Sequence, residues 1–177
     1  MEYADHYVSP LGGITLTSDG EALTGLWFDG RKGSSGAPGD MCERTDLPVF
    51  GQTKKWLDLY FAGKDPGFTP PLRMKATPFR RAVWEIMLTI PYGQTMTYGE
   101  IAKRIARQRG IDKMSAQAVG GAAGRNPISL IVPCHRVVGA GGDPTGYGGG
   151  IEIKIKLLAL EGANAEKPSV PKKRTTP

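Results

Sequence analysis

The sequence predicts an α+β protein: a small N-terminal antiparallel β-sheet domain with a helix, then a mainly helical C-terminal domain containing a helix-turn-helix. Three observations carry this expectation. Short β-branched and aromatic runs, broken by Pro/Gly and Asp-Gly turns, fill the first third. Apolar residues at helical spacing, preceded by capping residues, recur after residue 76. Two of those helical stretches are separated only by a short glycine-containing turn in a basic segment.

Tyr3–Ser9, Gly13–Ser18 and Leu23–Phe28 read as strands. Residues 30–40 (GRKGSSGAPGD) hold too many Gly, Ser and Pro for regular structure, which predicts a mobile loop. In PVFGQTKKWLDLYFAGKD, residues Val49, Trp56, Leu57, Leu59, Tyr60 and Phe61 give a helical apolar face that Gly63 closes. Pro66, Pro70 and Pro71 mark a linker, so the expected division is a first domain over 1–70, a linker over 71–76 and a second domain over 77–165.

Thr77-Pro78 opens the second domain as an N-cap followed by proline at the first helical position. Phe79, Val83, Ile86, Met87 and Ile90 follow at helical spacing until Pro91-Tyr92-Gly93. Thr97 and Glu100 (T-Y-G-E) form a capping box for a helix through Ile101, Ala102, Ile105 and Ala106. RQRGIDKM makes the turn. Ser115 caps the next helix, SAQAVGGAAGR, which stops at Asn126-Pro127. Ile128–Val132 is too short for a helix and runs straight into Pro133-Cys134-His135-Arg136. After GAGGDPTGYGGG, residues 152–160 return to helical spacing, with Ile155, Leu158 and Ala159 on one face. The tail over 166–177 lacks core formers and is expected to be disordered and basic.

Composition sets the class. The 177 residues are 40% hydrophobic and 23% charged, ordinary for a globular chain and against wholesale disorder. No apolar run approaches the ~20 residues that span a bilayer, and MEYADHYVSPLGG lacks the features of a signal peptide. Two cysteines, Cys42 and Cys134, exclude a disulfide scaffold and make the cytoplasm the expected location. The net charge of +6 is unevenly placed. Residues 1–75 carry 8 Lys/Arg against 10 Asp/Glu, residues 76–165 carry 11 against 6, and residues 166–177 carry 4 against 1. A basic half beside an acidic one fits a polyanionic partner such as nucleic acid, or simply a solvated basic surface.

Two features of the second half bear on chemistry. Gly120, Gly121 and Gly124 each cost the recognition helix ~1 kcal/mol relative to alanine. They make sense where a bulky partner approaches the backbone, or where the helix packs tightly against a neighbour. Cys134 lies between Pro133 and the pair His135-Arg136, whose positive charge would lower its pKa and favour the thiolate. Adjacent residues rarely face one another, so a bridging water would carry a proton between Cys134 and His135. A zinc site is disfavoured because there is no C-x2-C or H-x3-H pair and His6 and Cys42 lie in other segments. A cysteine protease is disfavoured because nothing around Asn126 and His135 carries a protease signature.

The run Ile131-Val132-Pro133-Cys134-His135-Arg136-Val137-Val138-Gly139 resembles the active-site signature of the O6-alkylguanine-DNA alkyltransferases, the methylated-DNA–protein-cysteine methyltransferases. The resemblance extends through TPFRRAVWEIMLTIPYGQTMTYGEIA, SAQAVGGAAGRNPISLIVPCHRVVG, TGYGGG and LLALEG, covering roughly residues 77–162. YFAG at residues 60–63 and SPLGG near the start resemble the family's N-terminal domain.

It implies a single-turnover repair reaction without cofactor or metal. The partner would be double-stranded DNA containing alkylated guanine, bound through the minor groove with the damaged base flipped out. Neither a membrane nor an obligate protein partner is implied. Cys134 would take the alkyl group from O6-alkylguanine, and O4-alkylthymine is a further possible substrate. His135 would be the base acting through water and Glu161 would polarise it. Asn126 would tie the recognition helix to the active-site turn, and Tyr98 would rotate the phosphate and donate a proton to the guanine. Tyr147, Gly148, Ala123 and Val137 would form the base pocket. Gln117, Ser115, Ala118, Gly120, Gly121, Arg125 and Tyr98 would meet DNA. Gln117 is a departure, standing where many members carry arginine, and it lacks the guanidinium charge and stacking area. Two other readings compete with this one. A lesion-binding relative would have replaced the nucleophile, whereas Cys134 is retained, and a regulatory relative would add a cysteine-rich zinc domain that two cysteines exclude.

Overall fold

The structure is a computed structural model that describes residues 2–30, 41–144 and 150–163. Residues 31–40 of the loop expected over 30–40, Tyr147 and Gly148, and the tail expected over 166–177 lie outside the described residues. The chain forms two compact units: one is Met1–Lys75 with Pro127–Ile131, the other Ala76–Asn126 with the chain from Val132 on.

In the first unit, β1 (Glu2–Ser9), β2 (Gly12–Ser18) and β3 (Leu23–Phe28) form an antiparallel meander. A short β4 (Met41–Glu43) adds to β1 in parallel, giving the order β3-β2-β1-β4. Three residues are too few for a period-2 pattern, so no alternation marks this strand. Helix α1 (Pro48–Phe61) starts on proline at its first turn and packs against β1, β2 and β3. Ile14, Leu16, Leu26, Phe50, Leu57 and Tyr60 are fully buried and make the core.

The edge of β3 corrects the expected domain boundaries. Leu23 N–H donates to Pro71 O at 2.7 Å, and Arg73 N–H returns to Leu23 O at 2.9 Å. Leu26 N–H donates to Pro127 O, and Ser129 N–H to Leu26 O, both at 2.9 Å. Residues around 72 and 128 thus satisfy backbone groups that an edge strand leaves open. Part of the supposed linker and residues 127–131 therefore belong to the first unit. Leu130, fully buried, sits there with φ 71°, a left-handed conformation costly for a branched side chain and retained because burial fixes it.

In the second unit, α2 (Pro78–Met87) is capped by Thr77, which accepts from Arg80 N–H. Strand β5 (Met96–Thr97) leads directly into α3 (Tyr98–Arg109), where Thr97 and Glu100 close a capping box. Gly110 ends α3 at φ 65°, which glycine adopts without strain. Ser115 then caps α4 (Ala116–Gly124) by accepting from Ala118 N–H. The Trp84 Nε1–H donates to Ala122 O at 2.8 Å, fastening α2 to α4. A 3-10 turn over Cys134–Arg136 precedes β6 (Val137–Val138), which pairs in parallel with β5. Helix α5 (Ile151–Leu160) buries Ile153, Lys154, Leu157 and Leu158. Of the expected face, Leu158 is buried, Ile155 is half-buried and Ala159 is exposed. Apolar residues occupy most of the circumference of IEIKIKLLAL, so packing rather than periodicity selects the buried side.

Candidate active site

The second unit gathers Asn126, Cys134, His135, Arg136, Lys154 and Glu161 around one turn. Cys134 opens the 3-10 turn and keeps partial access to solvent. Asn126, just past the end of α4, donates through Nδ2 to Val132 O at 2.7 Å and to Cys134 Sγ at 3.4 Å. One side chain thereby ties the end of α4 to the approach to the turn and to the thiol. The backbone amides of Cys134 and His135 also favour the thiolate.

Behind the thiol lies a buried charged network. His135 is fully buried, with Nε2 2.6 Å from Glu161 Oε2. Arg136 donates to the same carboxylate through Nε at 2.8 Å and Nη2 at 3.2 Å, and through Nη1 to Ile90 O at 2.8 Å. Gly93 N–H adds a bond to Glu161 Oε1 at 3.0 Å. Glycine is required in this Pro-Tyr-Gly turn because φ is 81° and a Cβ would stand 3.1 Å from Glu161 O.

Protonation follows from these contacts. Burial pushes the Glu161 carboxyl up, but hydrogen bonds and charge from His135 and Arg136 outweigh it and hold the pKa at about 2. Glu161 is therefore an ionised acceptor, and the His135 nitrogen facing it, Nε2, carries the proton. Burial lowers the His135 pKa against the pull of Glu161, so its resting form is the neutral imidazole with Nδ1 as the basic nitrogen. Burial pushes the Cys134 thiol up, opposed by Asn126, Lys154 and the two amides. The resting sulfur is thus a protonated thiol that needs a base.

This reverses the expectation that the neighbouring cations depress the thiol's pKa. Successive residues of a 3-10 turn point about 120° apart. Arg136 accordingly turns away to Glu161 and lies 5.7 Å from the Tyr92 ring centre. The cation acting on the sulfur is Lys154, which the sequence reading missed. Its signal was a lysine at i, i+3 and i+4 spacing from Leu157 and Leu158, inside an apolar stripe. The part played by Arg136 and Gly93 in holding Glu161 was missed as well, since it depends on contacts distant in sequence.

The other expected site residues fall into groups. Tyr98, half-buried at the start of α3, has its ring centre 5.7 Å from Lys154 Nζ and its pKa raised by burial and then by Cys134. Ser115, Gln117, Ala118, Gly121 and Arg125 are exposed on or beside α4. Gly120 is half-buried, and a Cβ there would meet the Tyr98 ring at an ordinary 3.8 Å. Among the described residues nothing lies within 4 Å of a Cβ built at Gly121 or Gly124, so tight internal packing does not explain those glycines. Ala123 is buried in the core of the unit. Val137 is fully buried, its N–H bonded to Cys134 O and its carbonyl to Lys154 Nζ. Among the described residues no group of three or more His, Cys, Asp or Glu could hold a metal ion, and no helix is long and apolar enough to cross a membrane.

A two-unit α+β chain with a helix-turn-helix beside a histidine-backed thiol is the class that fold and site define. Residues 3–74 match the family model described as 6-O-methylguanine DNA methyltransferase, ribonuclease-like domain, and residues 78–163 its DNA binding domain. The methylated-DNA–protein-cysteine methyltransferase of Methanosarcina acetivorans is 42% identical over 89% of this chain and 96% of its own. That of Haemophilus influenzae is 40% identical over 90% and 86% respectively. Among solved structures, that of Mycobacterium tuberculosis OGT in complex with DNA has a TM-score of 0.79 at 40% identity, covering 95% of this chain and 98% of that one. The chain belongs to the methylated-DNA–protein-cysteine methyltransferase family.

Proposed function

We propose that this protein repairs DNA by moving the alkyl group from O6-alkylguanine onto its own Cys134, once per molecule. The observation that carries the reading is a thiol held by Asn126 in the same unit as a His135–Glu161 pair and a helix-turn-helix. His135 takes the thiol proton on Nδ1 through one bridging water, and Glu161 stabilises the imidazolium that results. The thiolate displaces the guanine oxygen from the alkyl carbon, and Tyr98 gives its hydroxyl proton to the departing base. No cofactor enters this scheme. A thioether is not readily cleaved, so the protein is consumed.

Double-stranded DNA is the partner, approached by the open, glycine-bearing face of α4. Minor-groove entry with the base flipped out brings the alkyl carbon to the sulfur. Gln117 fills the space left by the base with a neutral amide, and exposed Arg125 supplies phosphate attraction. Ala123, buried in the core, shapes the pocket from behind. The protein works in the cytoplasm on DNA. The test uses a duplex whose restriction site is blocked by one O6-methylguanine. Wild-type protein should restore cleavage in proportion to its molar amount, and Cys134→Ala should restore none. Restoration by Cys134→Ala would refute the reading.

A further inference from the structure

Helix α4 is weakly built for an element that must meet DNA in a fixed pose. It has 9 residues, short of the ~12–15 that an isolated helix needs, and glycine stands at 120, 121 and 124. Its buried residues are the small Val119, Ala122 and Ala123. Its last turn closes on long bonds three residues back, Arg125 N–H to Ala122 O at 3.2 Å and Asn126 N–H to Ala123 O at 3.3 Å. Trp84, buried on α2, supplies a firmer hold, because its Nε1–H reaches Ala122 O at 2.8 Å. A leucine or phenylalanine would also fill a core, but a buried indole N–H needs its acceptor, so any shift of that turn strands it. Just past the same turn, Asn126 holds Val132 O and Cys134 Sγ. The far end of α2 serves the other side of the site: Ile90 N–H closes on Met87 O at 3.0 Å, and Ile90 O accepts from Arg136 Nη1 at 2.8 Å. One helix thus grips α4 through Trp84 and the charged network through the turn after Met87.

We propose that Trp84 is a positioning residue: its indole N–H locks the last turn of α4 in register with Cys134, so that a base delivered by α4 arrives at the sulfur. This rests on the alkyl-transfer reading above. Trp84 lies behind the buried Ala122, whereas Ser115, Gln117, Ala118, Gly121 and Arg125 are exposed, so loss of the N–H removes no contact to DNA. A small alkylating reagent needs no such register, because it diffuses directly to the partly open thiol. Two reactions of one sulfur therefore part company without the N–H: methyl transfer from a duplex slows, and direct alkylation does not.

The test is Trp84→Phe, compared with the parent in a Cys42→Ser background so that Cys134 is the reacting thiol, at a temperature where both are folded. Phenylalanine keeps a ring in the core and deletes the N–H. Amide hydrogen exchange at residues 122–126 should quicken about tenfold more than in α2 and α3, as loss of one buried hydrogen bond implies. Single-turnover methyl transfer from saturating duplex containing O6-methylguanine should slow by about fivefold to tenfold. The duplex concentration at half-saturation should stay within about threefold of the parent's, and the iodoacetamide rate at Cys134 within about twofold. Exchange that quickens evenly over the three helices, equal losses in the two reactions, or a change in half-saturation with an unchanged saturating rate would overturn the proposal. If the phenylalanine variant does not fold, benzothienylalanine in place of Trp84 keeps the bicyclic shape, replaces the N–H by sulfur, and is read in the same way. Failure of the underlying reading shows separately, as wild-type protein that takes iodoacetamide at Cys134 but no methyl from the duplex.

Discussion

Replacing Glu161 by glutamine removes the one carboxylate that four donors share: Gly93 N–H, His135 Nε2–H and two nitrogens of Arg136. Glutamine keeps the volume but presents one acceptor and an NH2 group that faces other donors. Arg136 would be left buried without its counter-charge, a change that costs ~3–5 kcal/mol. Linkage gives a similar magnitude. The carboxyl falls from 4.5 to about 2 on folding, and that difference corresponds to about 3 kcal/mol. Because the folded pKa is depressed, this stability is present above the unfolded value of 4.5 and is lost as pH falls through about 2. Glu161→Gln should therefore melt about 6–12 °C below wild type at pH 7. Its melting temperature should also fall less steeply than wild type's below pH 4. Circular dichroism melts across pH supply the comparison. Single-turnover methyl transfer at a temperature where both proteins are folded should be roughly a hundredfold slower, because the imidazolium loses its anion. A variant melting within about 2 °C of wild type, with the same acid slope, would refute the account of this network.

Two further outcomes follow from the same geometry. Gly93→Ala places a Cβ at positive φ against the Glu161 carbonyl, and chemical denaturation should show a loss of about 1–3 kcal/mol, with a slower transfer rate at a displaced Glu161. Arg125→Ala should leave the melt unchanged, weaken duplex binding and lower the slope of log affinity against log salt by about 1; an unchanged slope removes Arg125 from the DNA contacts.

Local rules made much of the second unit legible. Thr77, Thr97 with Glu100, and Ser115 are capping residues whose partners lie three positions away, so each helix start could be read from a four-residue window. What escaped depends on partners far along the chain. The covering of β3 by residues around 72 and 128 joins segments that share no local pattern. The direction of Arg136, the buried side of α5 and the enclosure of Lys154 are settled by packing between elements. The thiol's raised pKa escaped for the same reason: adjacent cations in sequence suggested a thiolate, while burial, invisible in the sequence, decides for the thiol. The family resemblance points to Cys134, His135, Asn126 and Glu161, and the structure brings these four together in one unit.

The whole mechanism stands on Cys134 as the acceptor of a single alkyl group. Intact-protein mass spectrometry after incubation with excess duplex bearing one O6-methylguanine tests it most directly. Wild-type protein should gain one methyl mass, saturating at one per molecule, located by peptide mapping to Cys134 and absent from Cys134→Ala. Tight binding of the lesion duplex with no gain of mass, or a methyl found on another residue, would contradict it.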